Sequence, residues 1–189
     1  FSDKATNKIY LNELLSRTQD LGMINHLIMI DDEGDLANTN VSMRELAVDN
    51  HKKWVEAAKF LGCDSIRVNA KGIGSRDAVT NAAIQGLSAL ADFAVDYNIN
   101  IIVENHGGLS SDGKWLVNVI NKTGRPNVGT LPDFGNFCIS GSWGSTQEEC
   151  SNKYDKYLGV SEMMPYAKGV SAKSYDFDKE GNCVETDYY

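Results

Sequence analysis

An apolar run that ends abruptly in polar residues constrains this chain more than any other feature. Residues 99–108 read Ile-Asn-Ile-Ile-Val-Glu-Asn-His-Gly-Gly. An apolar run of this length, bounded by turn residues, predicts a strand that is buried on both faces. A carboxylate, an amide and an imidazole at its carboxyl end are costly to bury unless they bind something. Because α/β sheets bind ligands at the carboxyl ends of their strands, we expect the chemistry of the protein there.

A unit of strand, loop and helix repeats along the chain. Predicted strands begin near residues 24, 64, 99, 127 and 168. Predicted helices alternate with these strands, over residues 8–17, 42–61, 76–97, 112–123 and 146–158. A capping box of Ser42 and Glu45 is predicted to open the second helix. The repeat requires a parallel sheet with right-handed crossovers, either a (β/α)8 TIM barrel or an open doubly wound parallel sheet.

Composition narrows the classes of function. The chain has 189 residues, of which 42% are hydrophobic, and this suits one domain over residues 1–189 with a sizeable core. The net charge is −8, whereas a duplex-binding surface is normally basic, so we expect no nucleic-acid partner. No apolar run approaches the length of a membrane span, so we expect no membrane partner. We expect a cytoplasmic protein, with export and formation of a homo-oligomer left open.

The four cysteines carry no recognised motif. Cys63, Cys138, Cys150 and Cys183 form no C-x-x-C pair, which excludes the usual zinc ribbon and redox motifs. We expect reduced thiols in the core and loops. A bridge between Cys138 and Cys150 is the alternative if the protein is exported.

Two carboxylates follow successive predicted strands. Glu104 ends one strand and Asp133 follows the next, 29 residues later in the sequence. Either residue alone is typical of a helix cap or a turn. Because successive strand ends are neighbours in a parallel sheet or barrel, both carboxylates should face one pocket. Hard divalent cations need such oxygens, so Glu104 and Asp133 are the predicted metal ligands.

Further polar and aromatic side chains are candidates for substrate binding. His106 lies two residues beyond Glu104 and should point to the same side, although a loop histidine bonded to the backbone explains it equally well. Asn69 ends the preceding strand, and Asn136 follows Asp133 in a turn. Trp143, in a Gly/Ser-rich loop over residues 135–145, can stack on a sugar face or act as a packing anchor.

Two other polar segments have simpler interpretations. The acidic group at residues 31–35 is expected to be a solvated loop. The segment from Gly72 to Ser75 precedes a helix and can hold a phosphate on its amides, but a plain tight turn is favoured. It is not a dinucleotide fingerprint, because Asp77 stands where the third glycine is required.

Three short motifs, taken in order, resemble a known family. They are Ile-Val-Glu104-Asn-His, Pro132-Asp133-Phe-Gly-Asn and Gly-Val-Ser171-Ala-Lys173. Their order and spacing are similar to those of the sugar phosphate isomerase/epimerase superfamily, the TIM barrels related to xylose isomerase and endonuclease IV. The resemblance covers most of the chain, as strands three to seven of a barrel.

The resemblance implies both a cofactor and a reaction. The family holds a divalent metal (Mn, Mg, Co or Zn) through a Glu on strand five, an Asp on strand six, a His on strand seven and a Glu on strand eight. Glu104 and Asp133 match the first two ligands. The implied reaction is proton abstraction next to the carbonyl of a sugar or sugar phosphate, with Glu104 also serving as one of two bases. Lys173 would stabilise the oxyanion.

The chain departs from the family pattern from strand seven onward. The family pattern His-x-Lys-Asp is replaced here by Ser171-Ala-Lys173-Ser174. The strand-eight glutamate has no counterpart, and a complete barrel of this type needs about 250 residues. We therefore expect an incomplete barrel, without strands one, two and eight, that binds a metal weakly.

Two other functions are weighed beside that of an isomerase or epimerase. Loss of the strand-seven histidine is compatible with a non-catalytic barrel that only binds carbohydrate. An endonuclease IV-like phosphodiesterase is disfavoured, because it needs several metals and more ligands than three histidines can supply. The partner expected for either favoured function is a small sugar or polyol.

Overall fold

A computed structural model describes residues 2–141, 143–145 and 149–188 of the chain. Helices and strands alternate along these ranges as the sequence predicts. The elements are α1 (Lys8–Asp20), β1 (Leu27–Met29), α2 (Val41–Leu61), β2 (Ser65–Asn69), α3 (Arg76–Ala94), β3 (Asn100–Glu104), α4 (Gly113–Thr123), β4 (Val128–Leu131) and α5 (Lys156–Met163). Short 3-10 turns flank them at Ser2–Thr6, Val95–Tyr97, Gly108–Ser111 and Met164–Tyr166.

The four strands form one parallel sheet in the order β1-β2-β3-β4. Each crossover therefore moves one strand further in the same direction, and neighbouring helices pack side by side. A doubly wound sheet would reverse its strand order part-way, so the open alternative is not the one adopted. The strand order is that of a barrel wall, and the described strands leave that wall open.

The two faces of the sheet differ in chemistry because side chains alternate along each strand. Ile66 and Val68 of β2, and Ile101 and Val103 of β3, are fully buried in the main hydrophobic cluster with the helices. Residues at the alternating positions, including Ile102, lie outside that cluster and point to the opposite face. The apolar run is thus a strand buried on both faces, as predicted.

The start of α2 differs from the predicted capping box. The Asn40 side chain accepts a hydrogen bond of 3.1 Å from the backbone N–H of Met43, and the helix begins at Val41. Ser42 and Glu45 therefore lie inside the first helical turns. Asn and Ser are equally good caps, so the sequence alone does not choose between Asn40 and Ser42. The predicted end is confirmed, since Gly62 closes the helix with a left-handed backbone, φ 77°.

Two predictions near the carboxyl end of the chain are wrong. Residues 149–155 are not helical, and α5 begins only at Lys156, whereas residues 146–148 lie outside the described ranges. The predicted strand at residues 168–174 makes only isolated bridges beside β4, at the pairs Thr130–Ala167 and Asp133–Ser171. Pro132 lies between these bridges and has no N–H to donate, which interrupts the ladder.

The helix over Arg76–Tyr97 corrects the expectation about apolar runs. By length and composition alone, this 22-residue helix could cross a membrane. Half of its most apolar 18-residue stretch is buried within the protein. Leu87, Leu90 and Ala91 are fully buried and belong to the main hydrophobic cluster. A core helix has the same composition, and in this fold α3 packs as one.

The cysteines also depart from the expectation of reduced thiols. Cys138 and Cys150 form a disulfide, with Cα atoms 5.9 Å apart, whereas Cys63 and Cys183 are free. The loop folds back so that two cysteines twelve residues apart meet at bonding distance. This approach depends on the loop conformation, which the spacing in sequence does not determine.

Candidate functional site

Charged and amide side chains collect at the carboxyl edge of the sheet, on the face away from the main core. Arg67 lies in β2, Glu104 ends β3, and Asp133 follows β4 by two residues. All three are buried, with exposed fractions of 4%, 2% and 0%. Buried charges are tolerated only when they are paired and hydrogen-bonded, so the partners of each group define the site.

Glu104 has one satisfied and one unsatisfied oxygen. Its Oε1 atom accepts a hydrogen bond of 3.2 Å from Asn136 Nδ2. Its Oε2 atom lies 2.8 Å from Arg67 Nε as an ion pair. The Arg67 N–H is not directed at this oxygen as a hydrogen bond requires. Arg67 Nε and Glu104 Oε2 are therefore buried without a hydrogen-bond partner among the described residues. Burial raises the pKa of the Glu104 carboxyl to about 7, with a further rise from Asp133, and Arg67 opposes the shift.

Asp133 is held on both of its oxygens. Oδ1 accepts a hydrogen bond of 2.9 Å from the backbone N–H of Gly135. Oδ2 accepts one of 2.7 Å from the Ser171 hydroxyl and lies 3.0 Å from Lys173 Nζ. The same Nζ donates to Asn136 Oδ1 at 3.0 Å. A chain of polar contacts therefore links Lys173 through Asn136 to Glu104.

Asn105 braces the two segments that carry the carboxylates. This fully buried side chain accepts a hydrogen bond of 2.7 Å from the backbone N–H of Asp133. Its Nδ2 donates to the carbonyl oxygens of Asp133 and Asn136, at 2.9 and 3.0 Å. The Asn105 amide thus pairs with backbone N–H and C=O groups beyond the end of β4, where no neighbouring strand among the described residues binds them. These bonds fix the distance between the ends of β3 and β4.

Arg67 and Asp31 belong to the site, although the sequence motifs do not point to either residue. Arg67 Nη1 donates to Asp31 Oδ1 at 2.5 Å and to the Ile30 carbonyl oxygen at 3.0 Å. Asn69 Nδ2 also donates to Asp31 Oδ1, at 3.2 Å. Partial burial works to raise the pKa of Asp31, but the hydrogen bond and charge of Arg67 outweigh it and lower the pKa. The sequence feature that indicates this ion pair is the Ile-Arg-Val pattern, a single arginine inside an apolar strand.

The acidic segment over residues 31–35 is only partly the solvated loop that was expected. Asp31 is half exposed but paired, and Asp32 is exposed. Glu33 is buried and accepts hydrogen bonds from Trp54 Nε1 at 2.7 Å and from Lys53 Nζ at 2.9 Å. The segment therefore anchors to α2 while it presents Asp31 to the site.

His106 lies at the rim of the cluster. Its backbone N–H donates to the Ser110 hydroxyl at 2.9 Å, and its ring meets that of Trp143 edge-on, with centroids 5.4 Å apart. Burial lowers the pKa of His106, and the charge of Arg67 lowers it further. Trp143 is 61% exposed.

A cavity of about 300 Å³ extends from His106 between residues 70–72 and 139–141. Trp143 thus presents an aromatic face beside the site.

The family follows from a comparison with family models. Residues 2–179 match the model described as the xylose isomerase-like TIM barrel. The chain belongs to the xylose isomerase-like TIM barrel family. This agrees with the resemblance drawn from the motifs and with the sequential parallel strand order. No curated protein matches the sequence.

Solved structures support the same fold at low identity. The apo form of 3-keto-D-glucoside 4-epimerase from E. coli is 13% identical, with a TM-score of 0.68, and the match covers 85% of this chain and 62% of that chain. D-allulose 3-epimerase from a Methylomonas species is 16% identical, with a TM-score of 0.68 and coverage of 92% and 61%. A xylose isomerase-like TIM barrel protein from Mycobacterium smegmatis in complex with magnesium is 17% identical, with a TM-score of 0.64 and coverage of 93% and 60%. The present chain thus spans about three-fifths of each of these structures.

The donor set of this xylose isomerase-like chain does not fit a divalent metal in the observed arrangement. Among the described residues, no group of three or more His, Cys, Asp or Glu side chains could hold a metal ion. Glu104 faces Arg67, and Asp133 faces Lys173 and Ser171. The metal role predicted for Glu104 and Asp133 stays untested, and their present partners argue against it.

The site unites most of the side chains that the sequence selected. Glu104, Asp133, Asn136 and Lys173 form one connected cluster. Asn69 joins it through Asp31 and keeps a buried Oδ1 atom without a hydrogen-bond partner among the described residues. His106 and Trp143 contact each other at the rim. Their roles in binding or catalysis stay predictions.

Proposed function

We propose that the protein is a sugar isomerase or epimerase that abstracts a proton from the carbon next to a carbonyl. The observation that carries this proposal is the state of Glu104. It is a buried carboxyl at the carboxyl end of a barrel strand, and its Oε2 atom, ion-paired with Arg67, accepts no hydrogen bond from a described residue. Such a group is costly to maintain unless it serves a ligand.

Glu104 suits the role of general base. Burial raises the pKa of its carboxyl to about 7. A base works best when its pKa lies close to the operating pH, because it is then both deprotonated and a strong proton acceptor. Oε2 would take the proton from the substrate carbon, and the electron pair of that C–H bond would move toward the carbonyl oxygen. Return of this proton from Glu104 to the neighbouring carbon gives the isomer. Epimerisation needs a different proton, delivered to the same carbon from the opposite face by a second acid or by solvent, while Glu104 keeps the proton it took.

Lys173 suits the stabilisation of the oxygen that becomes negative. An ammonium group has three N–H donors, and two of those of Lys173 are directed at Asn136 and Asp133. The side chain is 30% exposed, so the remaining donor can reach a ligand. A fixed cation beside the developing oxyanion lowers the barrier without reorganising during the reaction. Asn136 connects this cation to the proposed base.

The rim supplies contacts for sugar hydroxyls and for a sugar face. Asn69 Oδ1 is buried without a hydrogen-bond partner among the described residues and can accept a hydrogen bond from a hydroxyl that reaches it. The half-buried His106 ring lies at the rim, against Trp143. Trp143 can stack on the apolar face of a sugar ring. Small keto sugars or polyols are therefore the proposed ligands. The family membership and the epimerase names of two structural neighbours support this proposal.

The second candidate is a barrel that binds carbohydrate without catalysis. It is favoured by Asp133, whose two oxygens are fully engaged by Gly135, Ser171 and Lys173 and so offer nothing to a substrate. In this case the cluster would serve as a rigid floor, and the rim would hold the ligand.

Solvent deuterium exchange separates the two candidates. The full chain would be incubated in D2O with a panel of free and phosphorylated keto sugars, and the sugars would then be analysed by mass spectrometry and NMR. Deuterium at a carbon next to the carbonyl is the result expected for an isomerase or epimerase. Calorimetric binding of a panel sugar without any exchange would favour the carbohydrate-binding barrel.

We also propose that the protein works in an oxidising compartment, in place of the cytoplasm. The Cys138–Cys150 disulfide supports this, because such bonds persist in exported proteins and are rare in the reducing cytosol. Alkylation of free thiols in intact source cells, followed by mass spectrometry, tests it. Cys138 and Cys150 should escape alkylation, whereas two alkylated residues would place the protein in a reducing compartment.

A further inference from the structure

Each of the two carboxylates at the centre of the site is already neutralised by a cation of the chain. Arg67 Nε lies 2.8 Å from Glu104 Oε2, and Lys173 Nζ lies 3.0 Å from Asp133 Oδ2. Two negative charges therefore face two positive charges. A divalent ion that entered between them would meet repulsion from both cations at short range, in a site where burial reduces screening by water.

Both oxygens of Asp133 and one oxygen of Glu104 also accept hydrogen bonds. Asp133 receives hydrogen bonds from the Gly135 backbone and the Ser171 hydroxyl, besides the contact with Lys173. Glu104 receives one from Asn136. Hard cations such as Mg²⁺ and Mn²⁺ need about six donors, mainly oxygens, so a metal would have to displace several of these contacts together.

Lys173 itself is held in place from several sides. Its ammonium bonds both Asn136 Oδ1 and Asp133 Oδ2, and its backbone carbonyl accepts a hydrogen bond of 2.7 Å from the Tyr188 hydroxyl. The Tyr188 ring in turn stacks on Phe134, the residue after Asp133, with centroids 5.6 Å apart. The ammonium is therefore a positioned group rather than a mobile surface lysine.

We infer that the Lys173 ammonium is the resident cation of this site, and that the native protein holds no divalent metal between Glu104 and Asp133. Lys173 neutralises Asp133, and Arg67 neutralises Glu104. Ser171, which stands where the family pattern has its histidine ligand, donates a hydrogen bond to Asp133 and supplies no nitrogen ligand. This inference concerns metal binding alone, so it holds or fails independently of the reaction proposed above.

Metal titration of the full chain tests this directly. The protein would be treated with a chelator, dialysed, and titrated with MnCl2 by calorimetry and by the electron paramagnetic resonance signal of free Mn²⁺. The native chain should show no saturable site, and chelator should leave its melting temperature unchanged. Lys173→Met should create a site at least about tenfold tighter than any native binding, a difference of about 1.4 kcal/mol.

Matched variants separate charge from structure. Lys173→Arg keeps the positive charge and should bind no metal, as in the native chain. Lys179→Met makes the same change on an exposed lysine outside the site and should also leave metal binding as in the native chain. Lys173→Gln provides a second neutral variant if Lys173→Met does not fold. Saturable binding of Mn²⁺ by the native chain would overturn the inference, and so would folded neutral variants that bind Mn²⁺ no more tightly than the native chain does.

Discussion

Arg67 Nε lies 2.8 Å from Glu104 Oε2, and both side chains are at least 95% buried. The arginine comes from β2 and the glutamate from the end of β3, so the ion pair crosses two neighbouring strands. Arg67 also donates to Asp31 beyond β1. One guanidinium therefore ties together the carboxyl ends of three strands. The carboxylate that we propose as the base takes its position from this arginine.

Loss of Arg67 should destabilise the fold strongly. Arg67→Met leaves the buried Glu104 carboxyl without its cation, and breaking a buried pair costs about 3–5 kcal/mol of unfolding free energy at a pH where the carboxyl is ionised, above its pKa of about 7. Arg17→Met removes an exposed helical ion pair with Glu13 and should cost less than about 0.5 kcal/mol. Urea unfolding, followed by circular dichroism, measures both variants.

A double variant isolates the electrostatic part of this effect. Arg67→Met combined with Glu104→Leu removes both buried charges, so it should recover much of the stability lost in the single variant. A double variant as unstable as the single one would show that packing of the arginine, rather than its charge, supports the sheet.

Replacement of the proposed base should remove exchange. Glu104→Gln keeps the size of the side chain but cannot accept the proton, so deuterium incorporation should fall by about 10² to 10⁴-fold. Glu13→Gln makes the same change on the exposed α1 and serves as the matched control. Exchange at the native rate in Glu104→Gln would remove Glu104 from the role of base.

The part of the site that follows from strand topology could be predicted from the sequence. β4 begins within one residue of the predicted position, and Glu104 and Asp133 meet because neighbouring parallel strands end at one edge. Asn136 joins them from the turn that follows β4. Periodicity and chain order are sufficient for such neighbours.

Other contacts depend on loop geometry that local patterns do not encode. Lys173 reaches Asp133 from a segment with only isolated bridges, because Pro132 prevents a regular ladder. The disulfide depends on how a Gly/Ser-rich loop folds back. Apolar periodicity does not select Arg67, because a charged residue in an apolar strand breaks the pattern, although that break is itself the signal of a buried ion pair.

The raised pKa of Glu104 predicts a dependence of stability on pH. Burial raises the pKa of this carboxyl from 4.5 to about 7, so the folded chain binds the proton more tightly than the unfolded chain does. The resulting stabilisation is fully present below pH 4.5 and is lost as the pH rises toward 7. Its slope should be at most about 1.4 kcal/mol per pH unit. Glu104→Gln should flatten this part of the profile in urea titrations at several pH values, and an unchanged slope would assign the titration to another group.

Reduction of the Cys138–Cys150 disulfide should lower the stability of the folded chain. The bond closes a loop with a sequence separation of 12 residues, and a loop of this size is worth about 3 kcal/mol through the restricted unfolded state. Cys138→Ser with Cys150→Ser should reproduce the loss without reductant, whereas Cys183→Ser removes a free thiol and should have little effect. Thiol titration in denaturant without reductant should find two thiols per native chain, from Cys63 and Cys183. Four thiols would mean that the bond is absent, and the stability difference should then vanish as well.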